Sequence, residues 1–587
     1  MPPAPSPGRG GDNRGRRSDR SGYQLIHRLA IDPAPYFRIN HSGTRAHGVS
    51  HHPQGSHFEG GDTVRVRRSG SVLLAGVLLL ATATPALAAP TDPLADFHQQ
   101  QPSWSPCKAG SPTECASITV PLDYANPGGN RIRVAISRHK ATDQAHRRGI
   151  LLLNPGGPGG SGLGLADRLA KQQVAGVYDL VGFDPRGIGK STKLQCTEVT
   201  GGPQVKNPTR PDDADLPTYT AWAQQQEHAC QEAGGGLRPY INTNNTARDM
   251  DIIRAVLGEP KLNYLGYSYG TQLGATYGTL FPSRLDRNVL DSAMDPNKTW
   301  HEQDVDSVEA IGQNVNDWAA WVAARNNTFH LGTDAKQVKA GVEEIATALR
   351  TKPVAKLKDL AELDSSVGLY TRFRQGWAPL AKDLKAALDE VHGTGTADLS
   401  VAAGIARKRT LEKTVDGAYN TVLCEWDWPD ERTSYRKMKQ YRDTMPYGDA
   451  VGFMAPTPCA FRSFTRLETA LPAKRDYPVG IVVQAEGDTQ TAYPNGVAMA
   501  HTLGDNLISV RNEGVHGHYG SNTCVTALVD DYLINGVLPG SHTVCDPQQG
   551  PADIPPDTQR SAVAADIASL ATTAQQIDAQ LAESPAK

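Results

Sequence analysis

Ser268 stands at the centre of Gly266-Tyr267-Ser268-Tyr269-Gly270, preceded by a short apolar strand pattern over 262–265 and followed by a helical pattern from Thr271. A strand, a glycine-flanked serine and a helix in that order form a nucleophile elbow: the turn holds the serine in strained backbone geometry, and glycines leave room where Cβ atoms would clash. A serine hydroxyl is a weak nucleophile and needs a histidine base oriented by a carboxylate. Downstream, Asp488 lies in Glu486-Gly487-Asp488-Thr489 after a Val/Ile-rich strand pattern over 479–484. His516 lies in Gly514-Val515-His516-Gly517 after another over 507–510. The order serine, acid, histidine is the one such an elbow takes. His518 competes as base and Glu486 as acid. Loop glycines bracket His516, and Glu486 falls nearer the strand end, so His516 and Asp488 are preferred.

The chemistry is acyl transfer, which needs donors for the oxyanion. The backbone N–H of Tyr269, directly after the serine and ahead of the helix, is one candidate. The second is the N–H of Gly157, in Asn154-Pro155-Gly156-Gly157-Pro158-Gly159-Gly160-Ser161-Gly162, which follows the apolar strand pattern over 150–153. Neither this run nor Gly187-Ile188-Gly189-Lys190-Ser191 is a phosphate loop. The first lacks the closing Gly-Lys-Ser/Thr, and the second has Asp184 where the motif's first glycine belongs.

The elements that must position these residues alternate. Strand patterns over 118–121, 131–138, 150–153 and 178–183, the last ending in Asp184-Pro185-Arg186-Gly187, are interleaved with helical ones over 164–172 and 245–257. This βαβ rhythm predicts an α/β class with a mainly parallel central sheet. Between 299 and 475 the rhythm gives way to Ala/Leu/Lys/Glu-rich helical segments (338–349, 380–391, 401–413), read as an inserted helical cap that roofs the site. The expected organisation is a leader over 1–63, an export signal over 64–89, sheet domain over 90–298 and 476–548 with the cap over 299–475, and a C-terminal helix and tail over 549–587.

The export signal rests on Arg65, Arg67 and Arg68 ahead of an apolar run over 72–80 that ends in Ala86-Leu87-Ala88, a pattern cleaved near Ala88 or Ala89 and too short to span a bilayer stably. The general secretory route is favoured over the twin-arginine one. The leader, rich in Gly, Pro, His and Arg, is expected to be untranslated or disordered, with Val64 or Val66 as the true initiator. A net charge of −3 with interspersed charges gives no footprint for nucleic acid or an anionic membrane. All eight cysteines follow the signal. Outside the cytosol an even count implies disulfides. They fall into four close pairs, so neighbour pairing is the simplest expectation: Cys107 with Cys115, Cys196 with Cys230, Cys424 with Cys459, Cys524 with Cys545. The absence of Cys-x-x-Cys spacing argues against a metal site, and no cofactor is required.

These residues resemble a known family, the secreted bacterial tripeptidyl aminopeptidases, relatives of the proline iminopeptidases with the α/β-hydrolase fold. The resemblance runs through most of the exported chain: Trp104 and Cys107 to Val120-Pro121-Leu122-Asp123-Tyr124, the Asn154 to Gly159 run, Asp184-Pro185-Arg186-Gly187, the serine elbow to Thr271, Asp291, Gly487-Asp488, and the segment from Cys524 to Cys545 with Tyr532, Gly536 and Pro539. It implies a Ser268-His516-Asp488 peptidase that releases tripeptides from free peptide or protein N-termini, and a secreted, extracellular enzyme. A monomer is expected, with no membrane association after signal cleavage. An aminopeptidase must hold the substrate's charged α-amino group, and Glu425 and Asp427 in Cys424-Glu425-Trp426-Asp427-Trp428 are the candidate carboxylates. Solvated acids beside cap-core tryptophans are the plainer alternative for this stretch. Two other functions stay open: an esterase or lipase-like hydrolase with the same triad, and a catalytically dead binding protein on this scaffold.

Overall fold

The computed structural model describes residues 92–197, 199, 202–394, 414–467, 472–474 and 476–557. The leader, the export signal, the helical pattern over 401–413 and the tail beyond 557 lie outside the described residues.

Ten strands form one sheet: β1 (Ser105–Pro106), β2 (Glu114–Pro121), β3 (Arg131–His139), β4 (Gly149–Asn154), β5 (Tyr178–Phe183), β7 (Leu262–Tyr267), β8 (Leu285–Asp291), β10 (Ile481–Ala485), β11 (Asn506–Val510) and β12 (His542–Cys545). Their spatial order is β1-β2-β3-β5-β4-β7-β8-β10-β11-β12. The hairpin of β2 and β3 pairs antiparallel, as β3 does with β5; from β5 to β12 every pairing is parallel. A short ribbon, β6 (Gln195–Thr197) with β9 (Thr414–Asp416), stands apart from the sheet. The fully apolar strands are those with both faces covered. On β4, Ile150 and Leu152 face one core with the helices Thr243–Val256, Tyr269–Leu280 and Tyr493–Leu503, whereas Leu151 and Leu153 face the other with Leu165–Leu169 and Thr523–Asn535.

Between β8 and β10 the chain builds a separate helical layer from Trp300–Ala323, Ala335–Leu349, Leu360–Arg372, Trp377–Val391 and Glu431–Thr444. Val308, Trp318, Ile345, Leu363, Leu384 and Met438 bury each other in its core. The capping box of Thr299 with Glu302 starts its first helix. The layer also takes in a helix that no sequence pattern announced, Leu216–Gly234, whose Leu216 and Tyr219 join this core rather than the sheet's. It is therefore assembled from two excursions, one after β5 and one after β8.

Four disulfides join Cys107 to Cys115, Cys196 to Cys230, Cys424 to Cys459 and Cys524 to Cys545. Among the described residues no helix is long and apolar enough to cross a membrane.

Candidate active site

Strand β7 ends at Tyr267, and Ser268 follows at φ 57°, ψ −127°, directly before the helix Tyr269–Leu280. A positive φ at a residue with a Cβ is a strained conformation that its surroundings must hold. Here the Ser268 N–H donates to the Asp291 carbonyl (3.0 Å) at the end of β8, and Thr271 returns both its N–H (2.8 Å) and its Oγ1 (2.7 Å) to the Ser268 carbonyl. Both motif glycines are required by close approach: a Cβ at Gly266 would stand 2.6 Å from the Tyr264 ring, and one at Gly270 would stand 2.9 Å from Asn154 Oδ1.

The Asn154 loop lies against this elbow. Gly156 sits at φ +84°, and a Cβ there would come within 2.9 Å of Ser268 Cβ and 3.1 Å of the Tyr269 nitrogen. Asn154 Oδ1 accepts from the Gly156 N–H (2.9 Å) and so holds the turn. Gly157 follows at φ +118°, with a cis bond to Pro158. Gly157 and Tyr269, the two oxyanion candidates, thus come from backbone segments that Gly156 brings together.

The acid and base loops meet at a hydrogen bond of 2.6 Å from His516 Nδ1 to Asp488 Oδ2. Asp488 is fully buried, and donors surround it: Thr491 Oγ1 to Oδ2 (3.0 Å), the Gln490 N–H to Oδ1 (2.9 Å), and Arg372 Nη2 to Oδ1 (3.4 Å). Burial would push this carboxyl up, but the His516 imidazole and the Arg372 guanidinium outweigh it and hold the group below the usual carboxylate range. His518 goes elsewhere: it is 1% exposed, and its N–H, with that of Tyr519, donates to Asp291 Oδ2 (2.9 and 2.7 Å). Glu486 accepts from the Asn512 N–H (2.8 Å) at the protein surface. The pairing with Asp488 therefore falls to His516.

Asp291 and Ser292 carry a role that no local pattern revealed. The Asp291 carbonyl holds the Ser268 backbone, its carboxylate holds the histidine loop, and Ser292 Oγ accepts from the Gly517 N–H (2.8 Å). Burial raises the Asp291 carboxyl, although His518 and the two loop N–H groups work against it.

The structure separates the two candidate amine carboxylates. Glu425 is buried; its oxygens accept from the Thr243 N–H and from Thr243 Oγ1 (2.9 Å), and that hydroxyl also bonds the Tyr269 hydroxyl (2.9 Å), one residue from Ser268. The Tyr269 ring stacks on Trp300 of the helical layer, with centroids 5.9 Å apart. Burial raises the Glu425 carboxyl to about 7, with the two Thr243 bonds pulling the other way. Asp427 is not part of this arrangement. Its side chain is 79% exposed and pairs with Arg466 (2.9 Å), because four residues past the end of the helix Ala418–Leu423 the chain already faces solvent.

Among the described residues no group of three or more His, Cys, Asp or Glu is placed to hold a metal ion. Beyond the expected residues, the helical layer contributes Arg372, Arg374 and Asn314, whose side chains donate to the Gly514, Asn512 and Gly487 carbonyls (2.6, 3.1 and 2.8 Å) in the base and acid loops. These contacts span 138 to 173 positions, so no sequence window contained them.

Residues 149–344 match the model of the alpha/beta hydrolase fold, and residues 445–545 match that of TAP-like proteins. The tripeptidyl aminopeptidase of Streptomyces lividans is 35% identical over 477 residues, covering 76% of this chain and 87% of that protein. Serine protease Hip1 of Mycobacterium tuberculosis (strain H37Rv) is 30% identical over 76% of this chain and 91% of its own length. Carboxylesterase B of the same organism is 31% identical over 82% and 98%. The serine elbow falls in the first matched region and the acid and base loops in the second, and on this similarity the chain belongs to the tripeptidyl aminopeptidase family of α/β hydrolases.

Proposed function

We propose that this protein is an exported serine exopeptidase that cleaves short peptides, tripeptides first among them, from free N-termini, and that it works as a monomer without a cofactor. The observation that carries the reading is the 2.6 Å bond between His516 and the buried Asp488, with the histidine loop and the strained Ser268 elbow both tethered to Asp291 at the end of β8. In this reading His516 takes the Ser268 proton as the oxygen attacks the scissile carbonyl, and returns it to the leaving amine. Asp488 keeps the imidazole in the Nδ1–H tautomer, with Nε2 free to act as base. The Tyr269 and Gly157 N–H groups receive the oxyanion, and water then clears the acyl-enzyme.

Selectivity for a free N-terminus is assigned to Glu425. A buried carboxylate gains charge by pairing with an ammonium that enters the same low-dielectric space. The four disulfides support an oxidising destination. The similarity to a protein named Carboxylesterase B favours one rival, a broad esterase with the same three residues. Cleavage of a free-amine tripeptide chromogenic substrate, its N-acetylated twin and a short-chain ester by wild type and Ser268→Ala decides between them. The proposal requires the free-amine tripeptide to be strongly preferred and the variant to be inactive. Equal cleavage of blocked peptide or ester would overturn it.

A further inference from the structure

We propose that Arg372, carried by the helical layer, is a positioning residue of the Ser268, His516 and Asp488 machinery, clamping the acid to the loop that carries His516 and tying both to the seating of that layer. The inference rests on the serine-hydrolase reading above.

Arg372 ends the helix Leu360–Arg372, and its side chain, 11% exposed, reaches across to the sheet domain. Nε donates to the Gly514 carbonyl (2.6 Å), two residues before His516, and Nη2 to Asp488 Oδ1 (3.4 Å). One planar fork therefore holds the base loop and the acid together, a task for a guanidinium rather than an ammonium. The backbones meet as closely as the side chain does. A Cβ at Gly514 would run into the Arg372 carbonyl oxygen and stand 2.9 Å from Arg372 Cγ. Asn314 and Arg374 brace the same two loops through carbonyls. Among the described residues of the layer, Arg372 is the one whose side chain also bonds the acid.

The electrostatic consequence follows from the groups around His516: Asp488 at Nδ1, Asp291 under the loop, His518 two residues on, and Arg372 with Glu513 behind it. Three of these are carboxylates, and Arg372 is the fixed cation among them. A guanidinium beside Asp488 offsets part of the carboxylate field that favours imidazolium. Loss of that charge should move the acid limb of reactivity up by on the order of one pH unit.

The measurement is the pH dependence of inactivation by a small serine-directed fluorophosphonate, which needs Ser268 and its base but no amine site. Arg372→Met and Arg372→Gln should each move the acid limb up by about one unit. Arg372→Lys restores the charge without the fork, so its limb should stay near wild type while the maximal rate falls. Gly514→Ala, which pushes the Arg372 backbone away, should act like charge removal. Melting curves identify which variants are folded. An unshifted limb in a folded Met or Gln variant of an enzyme that does react overturns this inference alone. Failure of wild type to react overturns the serine-hydrolase reading and this inference with it.

Discussion

Glu425→Gln isolates the proposed amine site from the chemistry. Glutamine keeps the volume of the buried side chain, its carbonyl can accept from the Thr243 N–H, and its amide can donate to Thr243 Oγ1, so the local hydrogen bonds survive. What goes is the charge. A hydrogen bond to a charged group contributes about 1.5–3 kcal/mol, so kcat/KM for a free-amine tripeptide should fall about ten- to 150-fold. The N-acetylated twin should be unaffected. The pH profile carries an independent sign. With the carboxyl raised to about 7, the ionised form that holds an ammonium is lost as pH falls through neutrality. For wild type, KM for the free-amine substrate should therefore rise about eightfold from pH 7.5 to 6.0, the ratio of ionised fractions for a group titrating at 7. In the variant this dependence should vanish. The assay is steady-state release of a chromophore from both substrates across that range. A variant that keeps its preference for the free amine, or loses both substrates equally, refutes the assignment.

His516→Gln should lower kcat by about 10³-fold or more with little change in Tm, whereas His518→Gln, at a position 1% exposed, should keep activity within a few-fold and lose about 1–3 kcal/mol of stability by urea denaturation. Gly156→Ala places a methyl group against the Ser268 side chain at φ +84°. The displaced loop should cut kcat by on the order of 10²-fold with KM little changed, read by steady-state kinetics. Cys424→Ser with Cys459→Ser opens a link between residues 35 apart, and should lower stability by up to about 4 kcal/mol by urea denaturation and erode selectivity for the free amine, since Glu425 adjoins Cys424.

What could be read from the sequence is what depends on short windows. The elbow is legible because Gly266 answers to neighbours in its own window, Tyr264 and Gly270, whereas Gly270 answers to Asn154, far back in the chain. Strands β4, β5, β7, β10 and β11 are apolar runs because both of their faces are covered. Strand β8 escaped, though it lies mid-sheet: Asp286 and Arg287 interrupt its pattern, and Arg287 spends its charge on the Leu533 carbonyl at the edge of the core. Terminal β12 is short and half-exposed, so it carries little hydrophobic signal. Glu425 and Asp427 looked equivalent because spacing alone does not say where a helix ends relative to the surface. Arg372 has no local signature at all. Gly514 reads as an ordinary loop glycine, and only the folded chain shows that the Arg372 backbone occupies the space its side chain would need.

The tip of β8 has a mechanical consequence. One residue, Asp291, grips the nucleophile's backbone through its carbonyl and the base loop through its carboxylate, and Ser292 adds a third tether and is itself hung from Val483 of the neighbouring strand. Serine and imidazole thus share a single bracket. A displacement of that bracket would carry the Ser268 backbone and the His516 loop together, as two instruments bolted to one plate move together. The helical layer holds the acid and base loops from the other side, through Arg372, Arg374 and Asn314, so a shift of that layer would move those loops relative to Ser268.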